Sequence, residues 1–341
     1  MINGHGDDLY KYDGKVKINF STNIYQGVDH SQLMRHLSSV HHLLSNYPEP
    51  EPSSVELLLA EMHAIKKENV FVTNGATESI YLIARMCQGK SSSIVVPTFR
   101  EYQDACRMFH HTIDFISEKE FNSKVFSEKK SNLIWLCNPN NPTGKVFPKS
   151  EILSIVDSRP DTLFIIDQAY ADYSVKEVLS CKDIVSRSNI IMLQSLTKQF
   201  SVPGLRIGYL IAPGNIITSL KTLRIPWSVN SFAIEAAHYL LKHNDQYHID
   251  KNLLHPEAKR IATELGESGI YVYPTDCNFI LCKLPFGSAA SLKEWLIDNY
   301  GILIRDASNF ESLDDRYFRI AAQSPSENDL LINCIKQWML K

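Results

Sequence analysis

The chain has 341 residues, 44% of them hydrophobic and 21% charged, with a formal net charge of −3 at pH 7. That is the make-up of a globular protein with core enough for one large or two ordinary domains. Neither the charge nor any basic stripe suits a nucleic-acid partner.

No apolar run approaches the ~20 residues of a membrane helix, so no membrane partner is expected. The first residues, Met1-Ile2-Asn3-Gly4-His5-Gly6, lack the charged-then-apolar plan of a secretory leader. Seven scattered cysteines without a CxxC pair fit reduced thiols and a cytoplasmic location. Adjacent histidines point apart, so His41-His42 and His110-His111 are read as surface or capping residues and no metal is expected.

In chain order, an amino-terminal arm over 1–45 comes first and leads into Tyr47-Pro48. From 46 to 230, short β-branched runs alternate with helix-like stretches, which predicts an α/β domain with a mainly parallel sheet. The expected strands are 70–73, 93–96, 132–136, 163–166, 190–193 and 207–211, apolar throughout as strands covered on both faces are. Helices are expected over 77–87 and 149–157. Pro226-Trp227-Ser228-Val229-Asn230 breaks the alternation. A smaller α+β domain, 231–341, should follow. It begins with a long helical stretch over about 231–265, interrupted at His255-Pro256, and continues with strands 270–273, 279–283, 303–305 and 317–321. A last helix should start near Glu327.

Lys198 is the most informative residue. It follows an apolar run (Ile190, Ile191, Met192, Leu193) that reads as a buried strand. An amine there loses solvation, which lowers its pKa and suits it to Schiff-base chemistry. Ser195, Thr197 and Arg206 offer two hydroxyls and a guanidinium, which suit a phosphate dianion. Gly75-Ala76-Thr77 lies where a strand turns into a helix, a natural second side for the same phosphate. Asp167 ends another apolar run, so its charge calls for a cation nearby.

This arrangement resembles the pyridoxal-phosphate aminotransferases of fold type I. Tyr47-Pro48, Asn74-Gly75-Ala76-Thr77-Glu78, Asn138-Pro139-Asn140-Asn141-Pro142-Thr143-Gly144, Asp167-Gln168-Ala169-Tyr170 and the lysine segment follow one another in the family's order. The resemblance implies pyridoxal 5'-phosphate as cofactor, with Asp167 on the pyridine nitrogen. It places Asn141 and Tyr170 on the ring's phenolic oxygen and Tyr102, in Pro97-Thr98-Phe99-Arg100-Glu101-Tyr102, over the ring. It also implies a homodimer in which Tyr47 reaches the other subunit's cofactor phosphate.

On the substrate side, Arg319 matches the family arginine that grips an α-carboxylate, and Arg305 is a second strand-end arginine. Two arginines imply a small phosphorylated amino acid or amino alcohol. Two branches take such substrates: the threonine-phosphate decarboxylases of cobalamin biosynthesis and the histidinol-phosphate aminotransferases, which use 2-oxoglutarate and glutamate. His5-Gly6, the segment Asn19-Phe20-Ser21-Thr22-Asn23-Ile24 with Asn23 as a substrate contact, and Asn309-Phe310 resemble the decarboxylases more closely. Gln168 stands where the family has glutamate, and Ile24-Tyr25-Gln26-Gly27 departs from its usual Asn-Pro-Leu-Gly.

Overall fold

A computed structural model of the chain describes residues 7–121 and 130–340. His5 and Gly6 lie outside the described residues. Strand β1 (Ile18–Asn19) belongs to the arm, and β2 (Val70–Thr73), β3 (Ser91–Val96), β4 (Thr112–Ser117), β5 (Leu133–Cys137), β6 (Leu163–Asp167), β7 (Ile190–Gln194) and β8 (Gly208–Ile211) follow. The last seven form one sheet ordered β2-β8-β7-β6-β5-β3-β4. Only β8 runs against its neighbours; the other pairs are parallel.

Continuous apolar strands lie here because both faces are covered. Along β7, Ile190 and Met192 enter one core while Ile191 and Leu193 enter the other. The same alternation splits Phe164 and Ile166 from Ile165 on β6. Period-two side chains with helices above and below need exactly such unbroken runs. β4 was not expected, since Thr-Ile-Asp-Phe-Ile-Ser offers no continuous apolar run. As the sheet's edge strand it is largely exposed, with Ile116 its one buried residue.

The remaining strands, β9 (Tyr271–Val272), β10 (Phe279–Lys283), β11 (Ile302–Leu303), β12 (Arg305–Asp306) and β13 (Tyr317–Ala321), form the second body. Four make an antiparallel sheet ordered β12-β13-β10-β9, while β11 pairs with β1 in parallel. The single strand expected over 303–305 is therefore two, and the chain changes sheets at Ile304. The last helix, Pro325–Met339, closes this core with Leu331, Ile335 and Trp338. Ser324 and Glu327 cap it in a reciprocal box, which sets its start at Pro325.

The helical stretch after Asn230 is two helices, Ser231–Lys242 and Lys251–Glu267, and the break falls before His255-Pro256. Asp250 decides it, because its carboxylate caps the N–H groups of Asn252 and Leu253. His111 is buried: its Nδ1 meets Ser92 Oγ and its Nε2 the Ala84 carbonyl, each at 2.8 Å.

Candidate active site

β2, β3, β5, β6 and β7 all point the same way, so the segments leaving their carboxyl ends gather along one edge. Open α/β sheets place ligands there. Gly75 follows β2, Arg100 follows β3, Asn141 follows β5, Asp167 ends β6 and Lys198 follows β7. All but Gly75 line one cleft, closed from the other side by the arm and by Arg305 and Arg319 of the second sheet.

Lys198 stands in a short turn (Leu196–Gln199) that begins after Ser195. Desolvation in the cleft, then the positive charges of Arg319 and Arg206, hold its amine down to about 8. Its Nζ lies 6.0 Å from the centre of the Tyr170 ring. Burial pushes the Tyr170 phenol up to about 12.

Asp167 is buried and accepts from Tyr102 Oη at 2.7 Å and from the Ala169 N–H at 2.9 Å. Burial raises its carboxyl above the ordinary range, against the pull of those two donors. A carboxylate has about four acceptor positions, so capacity remains for a cationic N–H. Tyr102 lies in the core, 5.5 Å from Trp135 in a stacked arrangement, with its hydroxyl turned to Asp167. Gln168, in place of the family's glutamate, uses both ends of its amide on Leu179: Nε2 donates to the carbonyl and Oε1 accepts from the N–H, each at 3.0 Å. A carboxylate could not donate there.

At the far end of the cleft, Ser195 Oγ and Thr197 Oγ1 lie 2.8 Å apart, beside Arg206 and the helix start at Ala76-Thr77. Two glycines allow this approach. Gly75 has φ +77°, and a Cβ there would lie 2.5 Å from Arg206 Nη2. A Cβ on Gly208 would lie 2.7 Å from the Ala76 nitrogen. The helix start is thus drawn against β8, with its free N–H groups beside the two hydroxyls.

On the side of the cleft facing the arm, Arg305 stands directly across from Arg319 on the neighbouring strand, and both are buried. Arg319 donates to Asn141 Oδ1 and, at 2.6 Å, to the Ser21 carbonyl, both neutral oxygens. Arg319 Nε and both polar atoms of the Asn23 amide are buried without a hydrogen-bond partner. Tyr47 lies away from its own chain's cleft, 88% exposed, with its ring 5.7 Å from that of Trp227. Sequence reasoning missed Asp7, Arg100 and Asn309 as cleft residues. Their one available signal was position, since Arg100 directly follows the Pro97-Thr98-Phe99 turn at a strand's carboxyl end. Among the described residues no cluster of three His, Cys, Asp or Glu could hold a metal ion. None of their helices is long and apolar enough to cross a membrane.

The family description "Aminotransferase class I and II" matches residues 15–335. The chain belongs to that family. Class I and II aminotransferases depend on pyridoxal phosphate. The L-threonine-O-3-phosphate decarboxylase of Porphyromonas gingivalis is similar at a TM-score of 0.91 and 36% identity, over 95% of this chain and all of that one. A histidinol-phosphate aminotransferase of Caldanaerobacter subterraneus subsp. tengcongensis is 30% identical over 88% of this chain and 86% of that protein. The fold also matches a histidinol-phosphate aminotransferase from Sinorhizobium meliloti solved with pyridoxal-5'-phosphate, at a TM-score of 0.85 and 16% identity.

The cleft fits this cofactor in three independent ways. It holds an amine of lowered pKa, a buried carboxylate with acceptor capacity to spare, and a cluster of hydroxyls, guanidinium and helix N–H groups where Gly75 leaves room.

Proposed function

We propose that the protein is a decarboxylase of a small phosphorylated amino acid, of the L-threonine O-3-phosphate kind. The carrying observation is the buried cross-strand pair Arg305–Arg319. Like charges directly opposite on neighbouring strands are destabilising. Two guanidinium groups side by side in one cleft suit a substrate bearing two anionic groups. The 36% identity to a threonine-phosphate decarboxylase over nearly the whole of both chains supports the same choice.

Bound pyridoxal phosphate supplies an electron sink for the bond broken at the substrate's Cα. Lys198 would hold the cofactor's carbonyl carbon through Nζ. Asp167 would pair with the ring nitrogen, Tyr170 and Asn141 with the phenolic oxygen, and Tyr102 would act through its hydrogen bond to Asp167. Ser195, Thr197, Arg206 and the N–H groups of Ala76 and Thr77 would take the phosphate. Arg319 would receive the substrate carboxylate and Arg305 the more distant anion, with Asn23 turned to the substrate from the arm. Once substrate is seated, Lys198 Nζ is free to carry a proton. In decarboxylation it returns one to Cα after CO2 leaves.

Transamination by a histidinol-phosphate aminotransferase-like enzyme, with 2-oxoglutarate as acceptor, is the second reading. There Lys198 Nζ would remove the Cα proton. One incubation separates them: holoenzyme with L-threonine O-phosphate, followed for CO2, beside histidinol phosphate with 2-oxoglutarate, followed for glutamate. CO2 without glutamate is expected; glutamate without CO2 sinks the decarboxylase.

The active unit we take to be a homodimer, with Tyr47 reaching the second subunit's cofactor phosphate. Leu44, Tyr47, Ile225 and Trp227 are each more than half exposed, and Tyr47 and Trp227 form one aromatic patch.

A further inference from the structure

The chain's net charge is −3, yet its cleft is lined by Arg100, Arg206, Arg305, Arg319 and Lys198 against the carboxylates of Asp7 and Asp167. Arg206 lies at the hydroxyl end and Arg319 beside Asn141, while Arg305 faces Arg319. Arg100 has no part in any of these arrangements.

Arg100 leaves β3 at the start of the helix Glu101–Met108. Its Nη1 donates to the Asn309 carbonyl oxygen at 3.2 Å, while Arg305 Nη2 donates to Asn309 Oδ1 at 2.6 Å. Two guanidinium groups, one from each sheet, thus grip a single residue on the cleft wall. Gln103 Nε2, one turn further along that helix, donates to Glu311 Oε2 at 3.1 Å and fixes the same two segments. Arg100 Nε is buried without a hydrogen bond, 3.4 Å from Asp104 Oδ2. A single phosphate has three oxygens, enough to accept from both guanidinium groups at once.

We infer that Arg100 is a specificity-determining residue that joins Arg305, on either side of Asn309, in holding the phosphate of the substrate. This rests on the reading that the substrate is phosphorylated. It adds that phosphate recognition spans the two sheets, so a substrate without phosphate lacks the group that ties them together.

The test uses the holoenzyme and its Arg100→Gln and Arg100→Lys variants. Affinity for L-threonine O-phosphate and for L-threonine is read from the change in visible absorbance of the bound cofactor. Histidinol phosphate against histidinol gives the same comparison for the transaminase reading. Glutamine keeps much of the side chain's length and a donor for the Asn309 carbonyl, so the fold should hold; unchanged melting and cofactor absorbance check this. The glutamine variant should lose about 10- to 100-fold in affinity for the phosphorylated ligand, the effect of one charge-assisted hydrogen bond. Lysine should restore most of it, and affinity for the unphosphorylated ligand should move less than about twofold. Equal loss for both ligands, wild-type affinity in Arg100→Gln, or no rescue by lysine overturns the assignment. If the wild-type holoenzyme itself fails to prefer the phosphorylated ligand of either pair, the phosphorylated-substrate reading has failed and this inference falls with it. A preference kept by both wild type and Arg100→Gln removes Arg100 alone.

Discussion

At the scale of single residues, the amine of Lys198, the proposed anchor of the cofactor, should govern how the protein takes it up. Only an uncharged amine attacks a carbonyl, and the cleft holds Lys198 down to about 8 from an ordinary value of 10.5. A lowered pKa means that the reactive form accumulates as pH rises toward 8 and is complete above it. Cofactor capture by the apoprotein should therefore quicken about tenfold per unit between pH 6 and 7.5 and level off above about pH 8.5. A stopped-flow profile still climbing at pH 10 would show an ordinary lysine. Lys198→Ala should abolish both that absorbance change and turnover. The facing arginines make a different prediction. Arg305→Met removes one of two opposed charges, so the ligand-free protein should change in stability by no more than about 1 kcal/mol. Affinity for L-threonine O-phosphate should fall at least about tenfold, the scale of one charge-assisted hydrogen bond. Urea melts and ligand titration of one preparation check both, and a collapse in stability would mark Arg305 as structural.

At the scale of elements, the approach of the Gly75–Met86 helix to β8 depends on a missing side chain. In Gly208→Ala the new Cβ would meet backbone, the Ala76 nitrogen at 2.7 Å and the Gln194 carbonyl at 2.8 Å, which cannot rotate away. Overpacking of this kind costs about 1–3 kcal/mol. The loss should appear as a lower urea midpoint together with weaker cofactor binding, because the same shift moves the helix start off the proposed phosphate seat. Weaker stability with unchanged cofactor affinity would refute that coupling. What the amino-acid order reveals follows the same division between local and distant causes. Lys198, Asp167 and the hydroxyls beside Arg206 are legible because each sits within a few residues of a buried apolar strand. The pairing of Arg305 with Arg319 is not, since it depends on a strand register set across 13 intervening positions and on a change of sheet at Ile304. Arg100 and Asn309 meet only because two sheets face each other. The edge strand β4 escaped notice for another reason: half its residues face water, so no continuous apolar run marks it.

At the scale of the whole molecule, the exposed patch around Tyr47 and Trp227 predicts association. Trp227→Ala should shift the sedimentation coefficient toward the monomer at micromolar concentration. Hybrids of Tyr47→Phe and Lys198→Ala subunits will contain one wild-type cofactor site if Tyr47 serves the neighbouring cofactor, and none if it serves its own. In the crossed arrangement the Lys198→Ala subunit donates its intact Tyr47 to the only reactive site, so the hybrid should regain turnover of about half a wild-type dimer. A hybrid no more active than its Tyr47→Phe parent argues that each chain uses its own tyrosine.

The arm and the last strand meet at the side of the cleft that carries Arg319. Phe20 accepts from the Ala321 N–H, Ser21 accepts from Arg319, and the Gln323 amide donates to Ile24 and accepts from Gln26. Those contacts join residues nearly three hundred positions apart. On a ribosome the segments proposed to hold the cofactor emerge well before the segment that carries Arg319 and Gln323. Every residue proposed to hold the cofactor lies at or before Arg206, so a chain cut short of Arg305 would keep all of them and lose both facing arginines.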